Sequence, residues 1–270
     1  MALARRMDEA AASAASDSAR RGTRTLVWRL ASVGLFCTTW EIAGRIPVNL
    51  AFPPFSEVAL AFAAMLADGS LPRAFLVTLQ PLVLGVGLSA VLGVVLGVAM
   101  GLRPGIEWLG APVFIVLQAA PVAALVPLVT FVYGIGLASK VIVVMLLALP
   151  VIVLNGYKAV RNVNPSLVAM CRSFQGTPAQ VVLKVVLPDA SPVIFAGLRL
   201  GVSAGFIGVV LAELLITPTG VGDLITYHRA VAEYAHMYAV IAFVIVFSAV
   251  TLAGLQRLEI ALFRPEKRTA

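Results

Sequence analysis

The chain has 270 residues, is 60% hydrophobic and only 12% charged, and has a mean hydropathy of +0.99. Soluble domains carry about 25% charged residues, so this composition excludes an ordinary water-soluble enzyme and places most of the chain in lipid. The formal net charge of +7 would raise a nucleic-acid partner in a soluble protein, but here the basic residues are distributed as membrane-orientation signals and no nucleic acid is expected.

In chain order, residues 1–24 are rich in Ala, Ser and Arg without hydrophobic periodicity and are expected to form a disordered tail. The apolar run 26–43 is longer than a secretory h-region and is read as a retained first span. Pro53-Pro54 followed by Ser56-Glu57 predicts entry to a short surface helix ending near Asp68-Gly69. The second span, 74–102, carries Gly85, Ser89, Gly93, Gly97 and Gly101 at four-residue spacing, which makes one smooth ridge for close helix packing. The third span, 111–132, contains Pro112, Pro121 and Pro127, and the fourth, 140–156, contains Pro150. Prolines free backbone carbonyls, which are tolerated at membrane depth where protein or a water-filled path covers them. Gln118, Pro121 and Pro127 are therefore candidate pathway positions, against the alternative that prolines are simply commoner in membrane helices.

A polar stretch, Asn164 to Pro188, interrupts the apolar second half. Asn164-Pro165 is a helix start, Gly176 can end that helix, Thr177-Pro178 repeats the start signal, and Leu187-Pro188 closes the second helix. The spacing predicts a helical hairpin over 164–188, with Met170 and Phe174 on one face. A fifth span follows at 192–215, then a Thr217–Ile225 turn and a polar segment, then a sixth span at 238–262. The 25–265 region thus reads as one all-α polytopic membrane domain of six helices. Fifteen of the twenty Lys and Arg fall on one side of this arrangement and four on the other, which predicts that both termini lie in the cytoplasm.

Two ionisable residues fall within the fifth span. Arg199 is about 10 Å from its cytoplasmic start and Glu213 about 21 Å further out, at 1.5 Å per residue. Arg199 either meets an anionic substrate, snorkels to the surface or pairs with a neighbouring helix. Glu213 is read as an interfacial carboxylate with Arg229 as counter-ion, or as a gate. Ser203 joins Arg199 and Glu213 as a candidate pathway position. The two histidines, His228 and His236, are read as solvated loop residues, and no metal ligand set is expected. Cys37 and Cys171 fall on different elements and imply no disulfide.

The hairpin resembles the coupling loop of ATP-binding-cassette importer permeases, whose pattern is Glu-Ala-Ala-x-x-x-Gly followed by Ile-x-Leu-Pro. Counting back from Leu187-Pro188, Ala169-Met170-Cys171 occupies the first positions and Gln175 the glycine position. Ala169 thus stands where the family has Glu, and Gly176 lies one position late. LPDASPVIFAGLRLG, the later AELL (Ala212–Leu215) and TGVGDLI (Thr219–Ile225) are similar to permeases of the sulfonate, taurine and nitrate type, as are FPPFSEV (Phe52–Val58) and YGIG (Tyr133–Gly136). The resemblance implies a type I importer permease fold and a bacterial inner-membrane location. It also implies a second permease copy, a substrate-binding protein, and a separate ATPase that carries ATP and Mg and grips the loop Ala169 to Gly176, with Arg172 and Ser173 on it. The chain has no G-x-x-x-x-G-K-[ST] of its own, so no cofactor is expected on it and it is not expected to be an enzyme. The implied cargo is a small polar anion. A thiamine-precursor pyrimidine or an aromatic acid is the alternative. A gradient-driven secondary transporter is the alternative from a different class; against it, the spans hold almost no titratable residues and show no clear repeat relating the two halves.

Overall fold

The computed structural model describes residues 27–28, 31–46, 51–216 and 219–263. The expected tail (1–24), part of the first expected span (26–43) and the residues after 263 lie outside the described residues. The described residues are helical throughout, joined by short turns, and separate into a unit ending at Ala61 and a unit beginning at Phe62.

In the first unit a helix covers 31–45 (α1). Trp40 anchors it: the indole N–H donates to the Pro53 carbonyl (3.1 Å), and the ring stacks on Phe52 and meets Phe36 and Phe55 edge-on. Glu41 accepts the Ser56 N–H (2.9 Å), an orphan donor in the first turn of α2 (Phe55–Ala67). The PPFSE stretch therefore opens a helix, as its composition predicts.

In the second unit Gly69, at φ 75°, turns the chain into α3 (Ser70–Leu102), which begins earlier than the expected 74. The Ser70 N–H donates to Asp68 (2.8 Å) and replaces the helix bond missing there. The Gly85–Gly101 ridge of α3 lies against α6 (Leu137–Arg161). A Cβ on Gly97 would come within 2.6 Å of the Val153 carbonyl oxygen and 3.1 Å of the Gly156 Cα. Helix backbones touch there.

The third expected span is not one straight helix. It is α4 (Pro104–Ala119) and α5 (Val122–Tyr133), bent by 103° at the break. Pro121 causes the bend: the ring clashes with a helical residue before it, and Ala120 is extended at ψ 137°. Pro112 and Pro127 stay inside their helices, with the Thr130 hydroxyl donating to the Val126 and Pro127 carbonyls (3.0 and 2.9 Å). Gly134, at φ 78°, then turns the chain into α6. That helix exceeds the expected 140–156 because its polar ends are paired inside the protein. Lys140 is buried near one end, and near the other the Tyr157 hydroxyl donates to Glu107 of α4 (2.6 Å).

The hairpin differs from expectation in one respect. α7 (Pro165–Ser173) and α8 (Pro178–Val181) form as the start signals predict, but Leu187-Pro188 does not close α8. A π-helical turn, Val182–Val186, carries the chain directly into α9 (Leu187–Leu215). In that turn the Leu187 N–H bonds to the Val182 carbonyl, one residue further back than in an α-helix. The shifted register accommodates Pro188, which has no N–H to give. Pro192 would orphan the Pro188 carbonyl, and the Ser191 hydroxyl donates to it instead (2.8 Å). The stretch 178–215 is thus one continuous rod.

The TGVGDLI segment, expected as a turn, is mostly helical: α10 (Gly220–Ala230) precedes α11 (Tyr234–Phe263). By length and composition, α3, α6, α8–α9 and α11 each suffice to cross a membrane, and α4 and α5 together are apolar enough for one more span or a re-entrant loop bent by 103°. α6 lies at the centre, packed chiefly on α3 and α9.

Replacing Gly97 by Ala is expected to force α3 and α6 apart and to destabilise the protein by about 1–3 kcal/mol. Gly105→Ala, where a Cβ meets nothing within 4 Å, is the matched control. Thermal unfolding of both variants in detergent, read by intrinsic fluorescence, measures the difference.

Candidate functional site

Two polar constructions stand at opposite ends of α9. The first is the α7–α8 hairpin. Asn164 caps α7 by accepting the Ser166 N–H (2.9 Å), and Pro165 occupies the first turn. Thr177 and Gln180 form a reciprocal capping box at α8, with the Gln180 amide oxygen accepting the Thr177 N–H (2.9 Å). Between them, the Gly176 N–H bonds to the Cys171 carbonyl (3.0 Å) and the Gln175 N–H to the Arg172 carbonyl (2.9 Å). That is the Schellman pattern, and its left-handed residue is Gln175 at φ 58°. The position that the resemblance assigns to glycine is therefore the one whose backbone favours glycine. Gly176 is needed for a different reason: a Cβ there would fall 2.6 Å from the Cys171 sulfur.

The hairpin has an inner and an outer side. Val168, Cys171, Val181 and Val186 pack with Ala159, Val160, Val163 and Ala190 at the end of α6 and the start of α9. Ala169, Met170, Arg172, Ser173, Phe174 and Gln175 are exposed. Met170 and Phe174 do not fold back onto the helix ends; they are 54% and 82% exposed. Leu187 is half-buried and Pro188 exposed. Beside the hairpin lies a cleft of about 1170 Å³ bordered by Arg103, Arg161 and Arg172.

The second construction is buried where α3, α6, α9 and α10 meet. Glu213 is 2% exposed; its Oε2 accepts the Thr78 hydroxyl (2.9 Å) and the Gly222 N–H (3.0 Å). The Val221 N–H donates to the Thr78 hydroxyl (3.0 Å). Lys140 lies 3.9 Å from the other carboxylate oxygen and donates to Thr219. The carboxylate and the Thr78 hydroxyl thus each satisfy one orphan N–H at the positive end of α10. Gly220, at φ 73°, lets the α10 backbone settle directly over Glu213 and Thr78. The expected counter-ion, Arg229, is exposed and is not the partner. Lys140 takes that place, because α10 folds back onto the bundle where an open loop was expected.

The remaining pathway candidates are not brought together. Arg199 is paired with Glu259 of α11 (3.2 Å), the neighbouring-helix alternative. Ser203 borders an apolar groove of about 530 Å³ between α9 and α11. Gln118, Pro121 and Pro127 are exposed on α4 and α5 around the bend. Sequence reasoning missed Thr78 and Lys140, whose link to Glu213 spans 135 and 73 positions and leaves no local signal.

Residues 89–262, more than half of the chain, match the family model described as "Binding-protein-dependent transport system inner membrane component". The chain belongs to that family. The family is one of permease subunits, so this chain is a multi-pass membrane component of an ATP-binding-cassette importer. Among its relatives, the putative aliphatic sulfonates transport permease protein SsuC of Bacillus subtilis is 27% identical over 213 residues, covering 78% of this chain and 76% of SsuC. The riboflavin transport system permease protein RibX of Chloroflexus aurantiacus is 33% identical over 155 residues, covering 56% of this chain and 58% of RibX. A chain of the MetNI methionine ABC transporter, solved in an inward-facing conformation, superposes with a TM-score of 0.59 at 20% identity, covering 69% of this chain and 93% of its own. The fold is therefore that of a type I importer permease.

Two outcomes follow for the permease. Gln175→Gly is expected to stabilise the hairpin by about 1 kcal/mol, by removing an L-residue from a left-handed position. Slower hydrogen exchange of the Gln175 and Gly176 amides would register it. Glu213→Ala is expected to cost about 3–5 kcal/mol, because Lys140 is left buried without its partner. The Glu213→Gln/Lys140→Met double variant is expected to unfold at a higher temperature than Glu213→Ala.

Proposed function

We propose that this permease couples to a separate ATPase through the α7–α8 hairpin and, paired with a second copy, forms the path for a small polar anion of the alkanesulfonate or taurine class. The observation that carries the coupling reading is the pair Met170 and Phe174, held exposed beside Arg172 on a hairpin capped at both helix starts. Exposed large apolar residues on a rigid polar support, outside the span itself, mark a contact with another protein. An aromatic anchor flanked by arginine is the composition of an interface hot spot. With Ala in place of the family's Glu at 169, the grip relies on apolar contact and on Arg172.

The anion reading rests on the similarity to SsuC and on the sequence motifs that point to the same group. The similarity to RibX favours a larger aromatic cargo as the second reading, and the two are separable by test. The orientation with both termini cytoplasmic rests on the distribution of Lys and Arg. A substrate-binding protein on the opposite face completes the machine.

The test is purification of the tagged permease from its native membrane, with the wild-type chain, with Phe174→Ala, and with Met170–Gly176 replaced by a Gly/Ser linker. An ATPase is expected to accompany the wild type, to be reduced at least tenfold by Phe174→Ala, and to be lost with the linker. Equal recovery from all three proteins would remove the hairpin from the interface. In reconstituted vesicles, stimulation of ATP hydrolysis by the binding protein with an alkanesulfonate, and not with riboflavin, would establish the cargo class.

A further inference from the structure

We infer that His228, Glu233 and His236 form a zinc-class metal site that clamps the end of α10 to the start of α11. These residues belong neither to the hairpin nor to the Glu213 site, and they lie beyond the far end of α9 from the hairpin. The His228 Nδ1 lies 2.9 Å and the His236 Nδ1 3.7 Å from the same atom, Glu233 Oε2. The two imidazole centroids are 5.0 Å apart with 18° between ring planes, and the distances place both Nδ1 atoms beside that carboxylate oxygen. All three donor atoms lie within 4.8 Å of one another. Around a tetrahedral zinc, with bonds of about 2.0–2.1 Å, neighbouring ligand atoms are about 3.3 Å apart. The two nitrogen-to-oxygen separations bracket that value, so small rotations of the rings admit the ion.

The backbone makes this geometry from residues eight positions apart. α10 ends in a second Schellman turn, in which the Glu233 N–H bonds to the His228 carbonyl (2.9 Å) and the Ala232 N–H to the Arg229 carbonyl (3.3 Å). Ala232 is the left-handed residue at φ 61°. Reversing the chain there sets Glu233 beside His228, and one helical turn into α11 brings His236 to the same side. The His228 side chain is only 12% exposed, and Glu233 is open to solvent at 51%. The ion thus has two imidazoles, one carboxylate and room for water. Two nitrogens and a carboxylate suit Zn²⁺, and Cu²⁺ or Ni²⁺ by the same donors, far better than Mg²⁺ or Ca²⁺. Binding uses the lone pair of each Nδ1 atom, so the ion takes the place of the His228–Glu233 contact.

The experiment uses the full chain in detergent with any affinity tag removed and thiols alkylated, and Zn²⁺ alone as the probe. These are the chain's only two histidines, so diethyl pyrocarbonate modification, mapped by mass spectrometry, reads the site without mutation. Both His228 and His236 are expected to be protected together by micromolar Zn²⁺, and Mg²⁺ at the same concentration is expected not to protect. Equilibrium dialysis is expected to give one Zn²⁺ per chain, and Glu233→Gln or His236→Asn to weaken binding at least tenfold with an unchanged elution profile. Unprotected histidines at 100 µM Zn²⁺, or binding that the two substitutions leave unaltered, would overturn the assignment. None of these readouts depends on the ATPase or the cargo.

Discussion

The second unit depends on backbone contact between α3 and α6 at Gly97 and Gly156. In lipid, apolar side chains gain little by leaving the solvent, so helices associate through close packing and internal hydrogen bonds. Small residues supply the first term. Gly93 and Gly101 receive Ile152 and Val160 of α6, and Gly197 of α9 receives Asn155 from the other flank of α6. Placing α6 between two glycine-bearing helices fixes where both of its ends emerge. One end presents Lys140 to Glu213, and the other carries the ledge on which α7 and α8 rest.

The second packing term, internal hydrogen bonding, appears at three places where the chain departs from a straight helix. Thr130 covers carbonyls beside Pro127, Ser191 covers the carbonyl that Pro192 leaves free, and Glu213 with Thr78 covers the start of α10. In these three places a side-chain oxygen stands beside the irregularity. This follows from the absence of competing water at that depth, where an unpaired polar group is costly.

The helical class, the hairpin and the glycine ridge were legible in the sequence because each is a local or periodic signal. Asn164 and Thr177 read as caps from the sequence alone, and they are caps. The prolines were less legible. Pro112, Pro127, Pro150 and Pro192 remain inside helices while Pro121 breaks one, and nothing local distinguishes them. Leu187-Pro188 misled for a related reason, since a π-helical turn shifts the bonding register and has no compositional mark. Glu213 was visible as an odd charge in a span, but its partners come from three other helices. His228 and His236 read as solvated because their convergence depends on Ala232, a residue with no turn preference, adopting a left-handed backbone.

The continuity of 178–215 has a mechanical meaning. Thirty-eight residues at 1.5 Å rise make a rod of about 57 Å. Rotated by about 5°, a rod of that length sweeps its far tip through about 5 Å, roughly one helical pitch. On the coupling reading proposed above, a rotation imposed at α8 reaches the Glu213 end as a displacement of that size. The π-helical turn at Val182–Val186 lies near the hairpin end of the rod, and the α-helix beyond it, Leu187–Leu215, is unbroken. A break at mid-depth would divide that stroke; this chain keeps its π-helical turn at the hairpin end, outside the long arm.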